Sequence, residues 1–119
     1  MNFIRERLED PNSKKAEALA WLKDNGGRNT VGELPTNGES LALIQEAYQA
    51  GAKEVLAIEI DAYEEDDGVY ENTGKLIVKL PEDAAARRGV FEWCGRQAEA
   101  QGFDAEEDEG QTHVFVALD

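Results

Sequence analysis

The sequence predicts an α+β domain, an antiparallel sheet with two helices on one face and an extra N-terminal helical segment. Three observations predict it. Residues 36–51 and 84–101 carry apolar side chains at helical spacing, whereas 53–61, 75–80 and 112–118 alternate with period two. Turn and stop signals (Asp10-Pro11, Asn25-Gly26-Gly27, Gly51, Pro81 and Gly102) separate these segments. A chain of 119 residues also suffices for one hydrophobic core without a disulfide or metal staple.

Phe3, Ile4 and Leu8 have helical spacing within 2–9, and Asp10-Pro11 stops that helix. A second helix is expected from Ser13 as N-cap through Ala16, Leu19, Ala20 and Leu22 to Asn25-Gly26-Gly27. Residues 29–34 read as a short edge strand or a loop, because Gly32 weakens a strand. Thr36 and Glu39 have the spacing of a capping box and open a helix with Leu41, Ile44, Ala47 and Tyr48 on one face. The strand over 53–61 places Leu56, Ile58 and Ile60 on one face and Val55, Ala57, Glu59 and Asp61 on the other. A loop over 62–73 then leads to a second strand at 75–80, antiparallel to the first. Pro81 opens a helix to about Gln101 with Ala84, Val90, Phe91, Cys94 and Ala98 as its apolar stripe. An acidic loop over 104–111 precedes the last strand, whose Val114, Val116 and Leu118 alternate with His113, Phe115 and Ala117.

From residue 36 the order is α-β-β-α-β. With a strand at 29–34 it becomes βαββαβ, which resembles the split βαβ arrangement of ferredoxin-like folds over 29–119. Without that strand the sheet is a three-stranded antiparallel one. Residues 1–27 read as an N-terminal helical segment and 28–119 as an α/β sandwich, one domain overall. The sheet's second face, with Val55, Ala57, Ile77 and Phe115 beside Lys75, Lys79 and His113, is expected to lie under the N-terminal helices with Trp21 and Leu22. A second subunit is the other candidate cover.

Charge is the unusual feature. The chain has 12 basic and 26 acidic residues, a formal net charge of −14, and the excess lies in its second half. Residues 1–60 hold 7 Lys/Arg and 10 Asp/Glu; residues 61–119 hold 5 and 16. A field of that sign opposes nucleic acids and anionic membranes, whose binding needs cations against phosphate. The N-terminal stretch lacks a signal-peptide pattern and the single thiol, Cys94, has no internal partner, so the expected compartment is the cytoplasm. In a ferredoxin-like sheet the loops over 62–73 and 104–111 leave the same end. Glu64, Glu65, Asp66 and Asp67 would then join Glu106, Glu107, Asp108 and Glu109 in one acidic pole, flanked by Tyr63 and Tyr70.

No residue set points to catalysis. The lone His113 has no sequence-local partner, and Cys94 sits on an apolar stripe where nothing lowers a thiol pKa. Asn25-Gly26-Gly27 follows a helix, whereas phosphate-binding loops follow a strand. The acidic run at 61–68 departs from the calcium-loop pattern. The expectation is therefore a non-enzymatic interaction or regulatory module without cofactor or metal, docking a basic protein partner through its acidic pole as monomer or homodimer. The alternative is a homodimeric small-molecule sensor, and a hydrolase using a carboxylate pair ranks last.

Overall fold

The computed structural model describes residues 3–119. Its elements in chain order are α1 (Phe3–Glu9), β1 (Ala16–Glu17), α2 (Ala18–Lys23), a 3-10 turn (Asn25–Gly27), β2 (Thr30–Val31) and α3 (Asn37–Ala50). There follow β3 (Glu54–Ile58), β4 (Asp61–Glu65), β5 (Gly68–Thr73), β6 (Lys75–Lys79), α4 (Ala84–Ala100) and β7 (His113–Ala117). The fold is α+β, as predicted. An antiparallel sheet ordered β1-β3-β6-β7 carries the core, and a smaller sheet ordered β2-β5-β4 stands beside it.

Local chemistry accounts for the main elements. The Thr36 hydroxyl accepts from the Glu39 amide at 3.1 Å and starts α3, and Gly51, at φ +122°, ends it. Asp83 caps α4 through the Ala86 amide at 2.9 Å. Val55, Ala57, Leu76, Val78, Val114 and Val116 share the sheet face that meets Trp21, Leu22, Ile44, Ala47, Val90 and Trp93 in one core. Among the described residues, nineteen buried apolar side chains form this cluster, and removing their surface from water is what favours folding.

The N-terminal segment departs from expectation. The helix predicted from Ser13 starts only at Ala18, because Ala16 and Glu17 pair with Ala57 and Leu56 as an edge strand. Ser13 instead accepts from the Glu59 amide at 3.1 Å. Glu17 takes over the capping, accepting from the Leu19 and Ala20 amides at 3.0 and 2.8 Å. It also receives the Tyr48 hydroxyl at 2.5 Å, and the Tyr48 oxygen accepts from the Val55 amide at 2.9 Å. Burial and the Glu17 carboxylate push Tyr48 up to about 12, so the phenol keeps its proton and ties α2, α3 and β3 together.

The faces of β3 are the reverse of the predicted ones. Its register sets Ala57 opposite Leu76 and Leu56 opposite Ile77, so Leu56, Ile77 and Phe115 line the second face. The physical cause is local. Glu59 adopts a left-handed φ of 51°, which breaks the period-two run before Ile60. Trp21 and Leu22 belong to the main core, and α1 reaches the second face instead. There the Phe3 ring stands edge-on to Phe115 at 5.1 Å and Arg7 lies over Phe3 at 4.4 Å, pairing with Glu59, which Lys75 also meets at 3.1 Å.

The ferredoxin-like strand order is not found. In a split βαβ unit two parallel strands flank a third; here β6 and β7 adjoin directly and run antiparallel. The strand at 29–34 exists as Thr30–Val31, but Gly32 bends away at φ +58° and the pair joins β5 in the second sheet. The region 62–73, predicted as a loop, belongs to a β-hairpin, with Tyr63 opposite Tyr70 and Glu65 opposite Gly68 around Asp66-Asp67.

Candidate interaction surfaces

Strand order decides where the acidic residues go. The hairpin 61–73 leaves the sheet at the end where Ile58 faces Lys75, while β7 starts at the other end, where His113 faces Lys79. The segment 104–111 therefore has to run back along α4, and Ala105 lies beside Gly95 while Asp108 is held at Arg87 near the helix start. The predicted single acidic pole does not form. Antiparallel pairing of β7 on β6 separates Glu64, Glu65, Asp66 and Asp67 from Glu107, Asp108 and Glu109.

The hairpin is anchored at its root and again beside its turn, and the side chains of Glu64, Glu65 and Asp66 between are left bare. Glu71 receives the Trp21 indole N–H at 3.0 Å and pairs with Lys14. The Lys14 ammonium, outweighing burial, holds its carboxyl below the usual range. Asn25 donates to the Val69 carbonyl at 2.8 Å, and Arg28 to the Asp67 carbonyl at 3.0 Å. Beyond these ties every residue of β4 is exposed. Among the described residues, Glu64, Glu65 and Asp66 take part in no ion pair. Tyr63 and Tyr70 stack with centroids 5.8 Å apart, and Asp67 accepts the Tyr70 hydroxyl at 2.8 Å, which raises that phenol's pKa. Tyr63 is 44% and Val69 45% exposed, on opposite faces of the ribbon. The tyrosine face overlooks a polar cleft of about 470 Å³ bordered by Arg28, Thr30, Glu33, Asn37 and Asn72.

The second acidic segment is tied down. Arg87 grips Asp108 with two bonds, Nε to Oδ2 at 3.0 Å and Nη2 to Oδ1 at 2.6 Å, and also donates to the Gln111 carbonyl at 3.0 Å. The guanidinium pulls Asp108 down to about 2. A carboxyl depressed on folding contributes above its unfolded pKa, and that contribution is lost as pH falls through the folded value. Carboxyl NMR titration is therefore expected to give Asp108 a midpoint near 2, with the segment released from α4 between about pH 4 and pH 2. A midpoint at the ordinary aspartate value would show that Arg87 does not hold it. Glu106 behaves oppositely, since desolvation and then Glu109 raise its pKa.

Between α4, β7 and this segment lies an apolar cleft of about 220 Å³, lined by Cys94, Ala98, Phe103, Val114 and Val116 with Asp104 and Glu106 at its border. Cys94 is buried, and burial followed by the Glu106 charge pushes its thiol up to about 12. His113 is half-buried; burial and then Lys79 lower its pKa, the reverse of tuning by the acidic segment before it. Among the described residues no group of three His, Cys, Asp or Glu is placed to hold a metal ion, and no helix is long and apolar enough to cross a membrane.

Asn72 and Val69 join these surfaces without having stood out in the sequence. One signal was available, two tyrosines placed symmetrically about Asp66-Asp67. In comparisons with family models, curated proteins and solved structures, none matches the chain.

Proposed function

We propose that this protein is a non-enzymatic docking module whose acidic hairpin, 61–73, engages a basic segment of a cytoplasmic protein partner. One observation carries the reading. Four consecutive carboxylates, Glu64, Glu65, Asp66 and Asp67, stand at the exposed end of a hairpin that Trp21 and Lys14 pin at its root and Asn25 and Arg28 pin beside its turn. A pinned, charged ribbon is pre-organised, so binding costs little ordering entropy, and the exposed Tyr63 and Val69 add apolar contact. The surplus negative charge supports a cationic partner and opposes nucleic acid. The small-molecule sensor reading has less support: the apolar cleft of about 220 Å³ is smaller than the roughly 300–1,000 Å³ of most small-ligand sites, and the cleft of about 470 Å³ beside the hairpin is polar where such sites are mostly apolar.

The test compares immobilised protein with two neutralised variants, Glu64→Gln/Glu65→Gln/Asp66→Asn/Asp67→Asn and Glu106→Gln/Glu107→Gln/Glu109→Gln, in cell extract at low and high salt. The expected partner is retained by the parent and the second variant, released by salt, and lost from the first. Exposed charge pairs are worth about 0.2–1 kcal/mol each, so losing four lowers affinity by roughly fourfold to a thousandfold. A partner held equally by the hairpin variant, or held at high salt, overturns the proposal.

A further inference from the structure

We propose a second docking site, independent of the hairpin: the outer edge of β7 takes up an extended, lysine- or arginine-bearing segment of a protein, one apolar side chain of which seats in the cleft between α4 and β7.

The hydrogen-bond phase of the ladder exposes this edge. The Leu80 amide donates to the Thr112 carbonyl at 2.8 Å and the Leu118 amide to the Gly74 carbonyl at 2.7 Å. In an antiparallel pair bonded and non-bonded residues alternate, so Val114 and Val116 bond inward to β6. His113, Phe115 and Ala117 then turn their N–H and C=O groups outward, and among the described residues no backbone bond meets them. The opposite edge, β1, is only two residues long. In β7, by contrast, five residues run without lysine, proline or a bulge, the usual protections of an edge. Such an edge is a template for strand addition.

The cleft beside it selects the occupant. Its volume of about 220 Å³ and lining of Cys94, Ala98, Phe103, Val114 and Val116 suit one aliphatic or aromatic side chain. Its charged border consists of Asp104 and Glu106, with Glu107 and Glu109 beyond, and the nearby Arg87 is committed to Asp108. Residues flanking the anchor therefore meet carboxylates and are favoured as Lys or Arg. A second copy of this chain fits less well. Each copy carries a net charge of −14, and pairing β7 with β7 would bring two acidic segments to one seam.

The probe is a capped nine-residue peptide alternating lysine and valine around a central leucine, followed by fluorescence anisotropy and amide hydrogen exchange. Binding is expected to slow exchange at His113, Phe115 and Ala117, and to leave the already bonded Val114 and Val116 amides unchanged. Ala117→Pro removes an outward N–H, which an edge strand tolerates, and is expected to weaken binding about tenfold or more. Ala98→Leu fills the cleft and should weaken it similarly, with a circular dichroism spectrum matching the parent. A peptide N-methylated at its alternate amides probes the same bonds without altering the protein. No saturable binding, or binding indifferent to both substitutions and to N-methylation, overturns the proposal. Protection of the same amides by dimerisation without peptide overturns it in favour of a second copy. Binding lost only on neutralising Glu64, Glu65, Asp66 and Asp67 moves the peptide to the hairpin and also overturns it. Loss of the hairpin's own partner leaves this edge site unaffected, so the two readings fail separately.

Discussion

Trp93→Ala is expected to destabilise the protein by about 3–5 kcal/mol, whereas Trp93→Phe is expected to be neutral or mildly stabilising. Trp93 is the largest fully buried side chain, on the face of α4 that enters the common core. Truncation to alanine loses the transfer free energy of the ring and leaves a cavity that two packed helices and a sheet cannot close. Phenylalanine keeps most of the ring and changes a second quantity. The Trp93 indole N–H is buried with no hydrogen-bond partner among the described residues. An unsatisfied buried donor costs on the order of 1–3 kcal/mol, while the smaller cavity left by phenyl in place of indole costs on the order of 1 kcal/mol. The two nearly cancel or favour the mutant. Urea unfolding of the three proteins decides it, read at constant m-value so that only stability has changed. A Trp93→Phe loss above about 2 kcal/mol would mean that the indole's shape or a bonded water outweighs the orphan donor.

Trp93 also marks the limit of what sequence could show. Of the stripe Ala84, Val90, Phe91, Cys94 and Ala98 read from spacing, Val90 and Cys94 are buried and Ala84 is exposed, and the tryptophan beside it dominates the core because α4 is covered on a different and wider arc. Helix α3 was legible in its cap, its terminal glycine and the Ile44 and Ala47 of its face, but not in Ser40, which is buried and accepts from the Val31 amide. The strands at β3, β6 and β7 were legible as strands, and so was the antiparallel pairing of β3 with β6, but the partner of β7 was not. Which strand lies beside β7 depends on contacts far apart in sequence, and that choice sends 104–111 along α4 instead of beside the hairpin. The acidic residues were thus identified correctly as types and misplaced as a group. The hairpin was hidden by its composition, because Glu64, Glu65, Asp66 and Asp67 mask an alternation that the Tyr63–Tyr70 stack carries on one face. Burial patterns reveal a strand only where one face is dry, and every residue of β4 is wet.

Gly32→Ala is expected to cost about 2–5 kcal/mol and to loosen the hairpin's attachment, although Gly32 lies in neither sheet. Two effects add. The residue sits at φ +58°, where alanine is strained by about 1–2 kcal/mol. An added Cβ would also lie 2.9 Å from both the Cβ and the backbone oxygen of Leu118, and relieving such overpacking typically costs about 1–3 kcal/mol. The crowding is structural. Gly32 donates to the Thr73 carbonyl at 2.8 Å and its own carbonyl accepts from Asn72 at 3.1 Å, so the turn clasps the end of β5 while touching the residue that follows β7. It is one of the points where the small sheet meets the large one, beside Gly74, through which β5 runs on into β6, and the Thr73 hydroxyl bonded to the Ile58 carbonyl. Displacing it should free β2 from Asn72 and Thr73, and their amides should exchange faster than the β6 amides, which depend on β3 and β7. Gly38→Ala is the contrasting substitution. It lies in the first turn of α3 with nothing within 4 Å of the new methyl and no left-handed backbone, so a gain of about 0.4–1 kcal/mol is expected. If Gly32→Ala left both stability and the Thr73 exchange rate unchanged, the two sheets would not be joined through this turn, and a hairpin pinned for docking would lose one of its supports.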